Sequence, residues 1–276
     1  MTTDGVELER RQRIATKLAD LFWSEMVSPV GEPTELTVES SARLLLGLIA
    51  NRQISWERAV RLPDDLAFRM EADEILPAIL SAGVEGVERH MTVKPMLHRF
   101  NHEMARCLYS AAVKLTNEYH GDARLLFAIR PMENLYQALC ELRGVSTKIA
   151  MLSLRILALD FGLTGTGVCT DDDYDNPLEF ISVSPDTHVI RVFKRLGLAP
   201  ANATPEQIVQ EARRLSDETG HPAVSFEGGW ILGLETCTAL RRRCGHCPTE
   251  IAQDCPSVWR DPRKISPEAR EALNKF

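Results

Sequence analysis

Apolar residues recur along the chain mostly at intervals of three and four, the spacing that places them on one face of a helix. Val6, Leu8, Ile14, Leu18, Leu21 and Phe22 form such a stripe near the start, and Ser41 to Ala50 is apolar enough for a buried helix. A third helix is expected to end near Gly83. Asn101 to His120 carries a long helical pattern that runs to Gly121, a residue type suited to the left-handed turn that closes a helix. Glu133 to Leu142 and Thr147 to Phe161 form a pair broken only by Arg143-Gly144-Val145-Ser146, which predicts a tight turn between two helices. Thr204-Pro205-Glu206-Gln207 has the cap, proline and glutamine of a helix start, and Ser266-Pro267-Glu268 repeats the cap and proline.

Strict alternation of apolar and polar residues is nearly absent, apart from a short extended piece at Phe180 to Val183. The fold class predicted is therefore all-α, and 276 residues with 44% hydrophobic content are enough for two helical lobes. Leu163 to Asn176, rich in Gly, Thr and Asp, reads as a loop or insertion. No apolar run approaches the roughly 20 residues of a membrane-spanning helix, and the first residues lack the regions of a signal peptide. A cytoplasmic protein with no membrane partner is the expectation, with a monomer as its expected state.

A formal net charge of −7 argues mildly against a nucleic-acid partner, because proteins that neutralise phosphates usually carry a basic surface. The charges are unevenly spread, however. Acidic residues gather at Asp64-Asp65, Glu71 to Glu74 and Asp171 to Asp175, whereas Arg191 to Arg195 and Arg241-Arg242-Arg243 are basic, so a locally positive face remains open.

The strongest chemical signal lies near the C-terminus. Of seven cysteines, Cys237, Cys244, Cys247 and Cys255 are separated by only six, two and seven residues. Four thiolates at short intervals suit a [4Fe–4S] cluster, each iron of the cube taking one protein sulfur. Structural zinc, which usually shows paired short Cys knuckles, and buried unligated cysteines are the alternatives. A loop pinned by ligands at both ends can hold Arg241, Arg242 and Arg243 at fixed positions for phosphate contact, or simply expose them to solvent.

With the hairpin and the cysteines placed, the chain resembles the endonuclease III family of helix-hairpin-helix DNA glycosylases over roughly residues 38 to 258. Leu142-Arg143-Gly144-Val145-Ser146-Thr147-Lys148-Ile149-Ala150 is similar to the family's hairpin, and Pro185-Asp186-Thr187-His188-Val189-Ile190-Arg191-Val192 to its Val-Asp-Thr-His-x-x-Arg-Val. Leu44 to Gln53 is similar to the helix and turn that present a glutamine to DNA, and Phe100-Asn101 before a long helix also matches. The resemblance implies a six-helix-barrel-like lobe over 36–153, and a cluster lobe made of 1–35 with 154–276.

It further implies a base-excision glycosylase and abasic-site lyase acting on double-stranded DNA that carries a damaged or modified base or an abasic site. Lys148 takes the place of the catalytic lysine and Asp186 that of the catalytic aspartate, which can equally be the N-cap of its helix. Gln53, Arg99, Gly144, Val145, Ser146, His188 and the three arginines of the cysteine loop would touch DNA; His188 and Arg191 read as supports or phosphate contacts. A monofunctional or catalytically inactive member of the same fold is the alternative. Three departures stand out: a longer last cysteine interval, Ser146 in place of a glycine, and about twenty extra residues between Lys148 and Asp186.

Overall fold

The computed structural model describes residues 3–25, 35–162, 177–240 and 242–257. All regular structure among them is helical, and the one pairing of extended residues is an isolated bridge between Cys237 and Arg242. The chain divides into two units, residues 30–180 and residues 1–29 with 181–276.

In unit 30–180, α2 (Val38–Ala50) starts at a capping box in which the Thr37 hydroxyl accepts the Ser40 amide at 3.1 Å and the Ser40 hydroxyl accepts the Thr37 amide at 2.8 Å. Gly47 lets α3 (Trp56–Arg69) cross closely, since a Cβ there would lie 3.2 Å from the Ala59 carbonyl oxygen. Helix α4 (Ile75–Thr92) is broken by Gly83, whose φ of 65° interrupts two helical stretches, so the pattern that ends at this glycine resumes beyond it.

Helix α5 (Asn101–Tyr119) closes one residue earlier than its sequence suggests. His120 takes the left-handed cap at φ 53°, and Gly121 follows at φ 78°. After α6 (Ala123–Phe127) come α7 (Met132–Cys140) and α8 (Thr147–Leu159), the two arms of the expected hairpin, and then α9 (Pro177–Phe180). Leu48 of α2 packs on Leu152 and Ile156 of α8, with Leu44 and Phe161 beside them. That apolar contact packs α8 on α2, and so places Lys148 near the end of α2, where the site described below lies.

The other unit joins both ends of the described chain. Helix α1 (Thr3–Glu25) buries Ile14, Leu18 and Ala19 among Val189, Val192, Phe193, Phe226 and Leu232. Residues 181–186 have no regular structure, so the piece expected to be extended at Phe180 to Val183 is the end of α9 and an irregular stretch.

Helices α10 (Thr187–Leu196) and α11 (Pro205–Thr219) follow. The latter starts at the expected cap: Thr204 accepts the Gln207 amide at 3.3 Å and Gln207 accepts the Thr204 amide at 2.8 Å. Helix α12 (Gly228–Glu235) packs so tightly that a Cβ on Gly228 would overlap the Leu18 carbonyl, and one on Gly233 would lie 2.9 Å from the His188 Cβ. A 3-10 turn at Cys244–His246 and α13 (Thr249–Asp254) complete the unit. The helix start expected at Ser266 and most of the acidic loop at 163–182 lie outside the described residues.

Candidate DNA-processing site and cysteine loop

The turn between α7 and α8 is built on Gly144. Its φ of 86° lies in the left-handed region, and a Cβ would fall 2.6 Å from the Cys107 Sγ and 3.1 Å from the Arg52 Nη1, so no other residue fits without displacement. Val145 closes the turn, its amide donating to the Leu142 carbonyl at 3.0 Å. Arg143 braces the turn from outside by donating to Glu103 at 3.2 Å, and this bond together with the guanidinium charge holds the Glu103 carboxyl below its ordinary range. Burial, followed by the Glu103 charge, pushes the Cys107 thiol up.

Ser146 is the N-cap of α8 but its side chain makes no capping bond. The first turn of α8 therefore keeps backbone amides that no side-chain cap covers, an arrangement suited to an anion. Lys148 is half-buried in that turn, and its Nζ donates to the Asn51 carbonyl at 3.1 Å.

Two residues beyond Asn51 stands Gln53, exposed and with a left-handed φ of 56°. The Arg99 Nη1 donates to its Oε1 at 3.4 Å, and the Arg99 guanidinium lies 5.4 Å from the centroid of the Phe100 ring. His98 ties these turns together from beneath. It is buried, its Nδ1 accepts the Phe100 amide at 2.9 Å, and its Nε2 lies 3.2 Å from the Ala50 carbonyl, which makes Nε2 the protonated nitrogen. Burial lowers the pKa of His98, consistent with a neutral ring. Unit 30–180 thus brings Gln53, Arg99, Gly144, Val145 and Lys148 onto linked turns, through Asn51 and His98, neither of which the sequence reading singled out.

The remaining expected residues belong to the other unit. Asp186 is the N-cap of α10, one carboxylate oxygen accepting the amides of His188 and Val189, both at 2.8 Å. Its neighbour Ser184 donates its own amide to the Glu227 carboxylate at 2.7 Å; Glu227 is 4% exposed. His188 and Arg191 act as supports: the Arg191 guanidinium reaches the His188 Nδ1 at 3.0 Å, the Gly233 carbonyl at 2.7 Å and the Cys237 carbonyl at 2.9 Å. Burial, then the charge of Arg195, lowers the Arg191 pKa.

Arg195, seen in the sequence only as part of a basic run, donates to the Cys237 carbonyl at 3.0 Å, its Sγ at 3.3 Å and the Thr238 carbonyl at 2.8 Å. Cys237 follows α12, Cys244 opens the 3-10 turn and Cys247 caps its end, and Cys255 caps α13. Burial first, and then the charges of Cys255, Cys237 and Cys244, push the Cys247 thiol up to about 12. Among the described residues, no group of three or more His, Cys, Asp or Glu side chains is placed to hold a single metal ion.

Of the loop arginines, Arg242 is half-buried and Arg243 exposed, while Arg241 lies outside the described residues. Between them and Cys237 projects Leu240, 97% exposed. No helix among the described residues is long and apolar enough to cross a membrane.

No family model matches the chain. A curated relative, endonuclease III of Rickettsia felis, is 24% identical over 238 residues, spanning 86% of this chain and 92% of the relative. A solved trapped endonuclease III–DNA covalent intermediate, an estranged-adenine complex, superposes with a TM-score of 0.62 at 16% identity, covering 94% of this chain and 99% of that one. A non-covalent endonuclease III–DNA complex gives 0.62 at 17% identity over 96% and 100% of the two chains. A thermostable thymine-DNA glycosylase gives 0.59 at 15% over 92% and 98%. The chain therefore resembles the endonuclease III family both in sequence, along most of its length, and in its helical fold.

Proposed function

We propose that this protein is a base-excision DNA glycosylase with abasic-site lyase activity, acting on duplex DNA that carries a damaged or modified base. The observation that carries this reading is the placement of Lys148 in the uncapped first turn of α8, its amine anchored on Asn51 beside the turn that exposes Gln53. A base inside a duplex cannot be reached, so the nucleotide must rotate out at a cost of a few kcal/mol. Gln53 takes the vacated space in the stack, while the amides behind Gly144 and Val145 grip a phosphate independently of sequence.

Lys148 then supplies the nucleophile. Its nitrogen bonds to the sugar C1′ as the bond from C1′ to the base breaks, and the base leaves with the electron pair and takes up a proton. Opening of the sugar ring gives an iminium linkage to Lys148; loss of a proton from C2′ then expels the 3′ phosphate and cleaves the strand. Asp186 provides the carboxylate that offsets the developing positive charge on the sugar or accepts the proton of the attacking amine. His188 and Arg191 hold α10 and the cysteine loop in place, and Arg242 and Arg243, with Arg241, contribute phosphate contacts.

Cys237, Cys244, Cys247 and Cys255 would hold a [4Fe–4S] cluster. Four thiol donors within nineteen residues of one loop suit a four-iron cube, each iron taking one protein sulfur. Held by these four residues, the cluster would cross-link the chain around the arginine loop and fix that loop in place.

Borohydride reduction of a mixture of the protein with abasic duplex tests the reading. A covalent protein–DNA adduct is expected. Base release without an adduct would leave a monofunctional glycosylase, and binding without base release across oxidised pyrimidine and modified cytosine duplexes would leave a DNA-docking protein.

A further inference from the structure

The stretch that leads into Asp186 is held by a buried carboxylate. Residues 181–186 have no regular structure, yet Ile181 to Pro185 are buried, so backbone amides there need acceptors from elsewhere in the fold. Glu227, 4% exposed and placed just before α12, supplies one: its Oε2 accepts the Ser184 amide at 2.7 Å. The Ser184 hydroxyl, buried without a partner, adds no hold of its own. The Ser184 carbonyl in turn accepts the Asp186 amide at 2.7 Å, and the Asp186 Oδ1 accepts the amides of His188 and Val189. That leaves Oδ2 of Asp186 with no hydrogen-bond partner among the described residues. Toward the other end of α12, the Gly233 carbonyl accepts from Arg191 at 2.7 Å, so α10 and its lead-in are gripped at two points.

From this run of bonds we infer that Glu227 is a positioning residue for the reaction: it fixes the backbone ahead of α10 so that Asp186 presents its uncommitted oxygen in one direction. Hydrogen bonds to a carboxylate are shorter and stronger than those to a neutral acceptor, which suits a segment that has no helix or ladder of its own. Misplacing a reacting group by about 1 Å can cost on the order of a hundredfold in rate, so an anchor that never touches DNA can still govern the chemical step. Glu227 therefore acts on the rate, through Asp186, and not on the hold on DNA. The inference rests on the reading of Asp186 as the carboxylate of the reaction.

The test uses the purified full chain, with the rate of borohydride adduct formation on abasic duplex measured in single turnover and the Kd for a duplex bearing a tetrahydrofuran abasic analogue read by fluorescence anisotropy. Glu227→Ala is expected to slow adduct formation about tenfold while changing Kd less than about twofold. Glu227→Gln, which keeps an acceptor in the same place, should recover most of the rate. Added to Asp186→Asn, Glu227→Ala should slow that variant less than about twofold further, because a residue that acts through Asp186 then has nothing left to position. Circular dichroism checks folding, and Glu227→Asp, one methylene shorter with its charge kept, takes the place of Glu227→Ala in the cycle should that variant not fold. Equal slowing in both backgrounds, or none in either, overturns the inference and leaves the glycosylase reading standing. No adduct with the unaltered chain overturns the lyase reading and the inference with it.

Discussion

The amine of Lys148 donates to the backbone carbonyl of Asn51 at 3.1 Å, so the hairpin and the glutamine turn are joined by a side chain that the chemistry also needs. An amine bonded to a carbonyl keeps its place and direction until a sugar carbon displaces that contact. Lys148→Ala and Lys148→Arg separate the two roles. Both are expected to lose the borohydride adduct and at least a hundredfold in strand cleavage, because a guanidinium stays protonated and cannot attack. Lys148→Arg, which keeps a donor near Asn51, should retain affinity for abasic duplex; trapping by either variant would remove Lys148 from the mechanism.

Gly144→Ala should destabilise the protein by about 1–3 kcal/mol, the usual range for a side chain forced into the left-handed region. Part of that loss comes from the Cys107 sulfur that the new methyl meets. Adding Cys107→Ser, which shrinks this neighbour, should give a double variant less destabilised than the sum of the two single variants. Urea titration of all three proteins checks the coupling, and strict additivity would show that the backbone alone sets the cost.

Asp186 has a structural duty that can be separated from a chemical one. Asparagine caps helices about as well as aspartate, so Asp186→Asn should leave thermal stability nearly unchanged, whereas Asp186→Ala should cost about 1 kcal/mol. Both should lower base release by at least tenfold in single-turnover assays. Full activity in Asp186→Asn would confine this residue to capping α10.

His98 predicts an acid sensitivity. Its folded pKa lies below the unfolded value of about 6.5, so the folded state binds fewer protons than the unfolded one between the two values. The contribution to stability is complete above about pH 6.5 and is lost as the pH falls through that value toward the folded pKa. Chemical denaturation from pH 7.5 down to 5 should show this loss, and His98→Gln should flatten it; equal pH slopes in the two proteins would exclude His98 as the source.

Iron and sulfide analysis of protein purified without oxygen should give four of each per chain, with visible absorbance lost in Cys237→Ala or Cys247→Ala. Zinc in place of iron would overturn the cluster. Arg195→Ala, which removes the donors to the Cys237 sulfur and to the carbonyls of Cys237 and Thr238, should bleach several-fold faster in air.

The sequence made the helical class legible because apolar spacing is a local property, and the caps at Thr204 and Asp186 follow from side chains that bond their own backbone. Local patterns also exposed the Gly144 turn. Less visible was α3, where Pro63 interrupts the propensity signal while tertiary packing keeps the helix, and α12, whose opening Gly228-Gly229 reads as a breaker until Leu18 is seen to need the space. The roles of Asn51, His98 and Arg195 were hidden for a different reason: each acts through a backbone carbonyl or amide distant in sequence, to which residue type gives no clue.

The burial of α1 among residues beyond 181 sets an order of events during synthesis. Ile14 and Leu18 emerge from the ribosome long before Phe193, Phe226 and Leu232 exist to cover them. At about 5–20 residues per second, that wait is on the order of ten seconds. For that interval the first helix is an adhesive stripe without its folded partner, exposed until residues 189–232 follow.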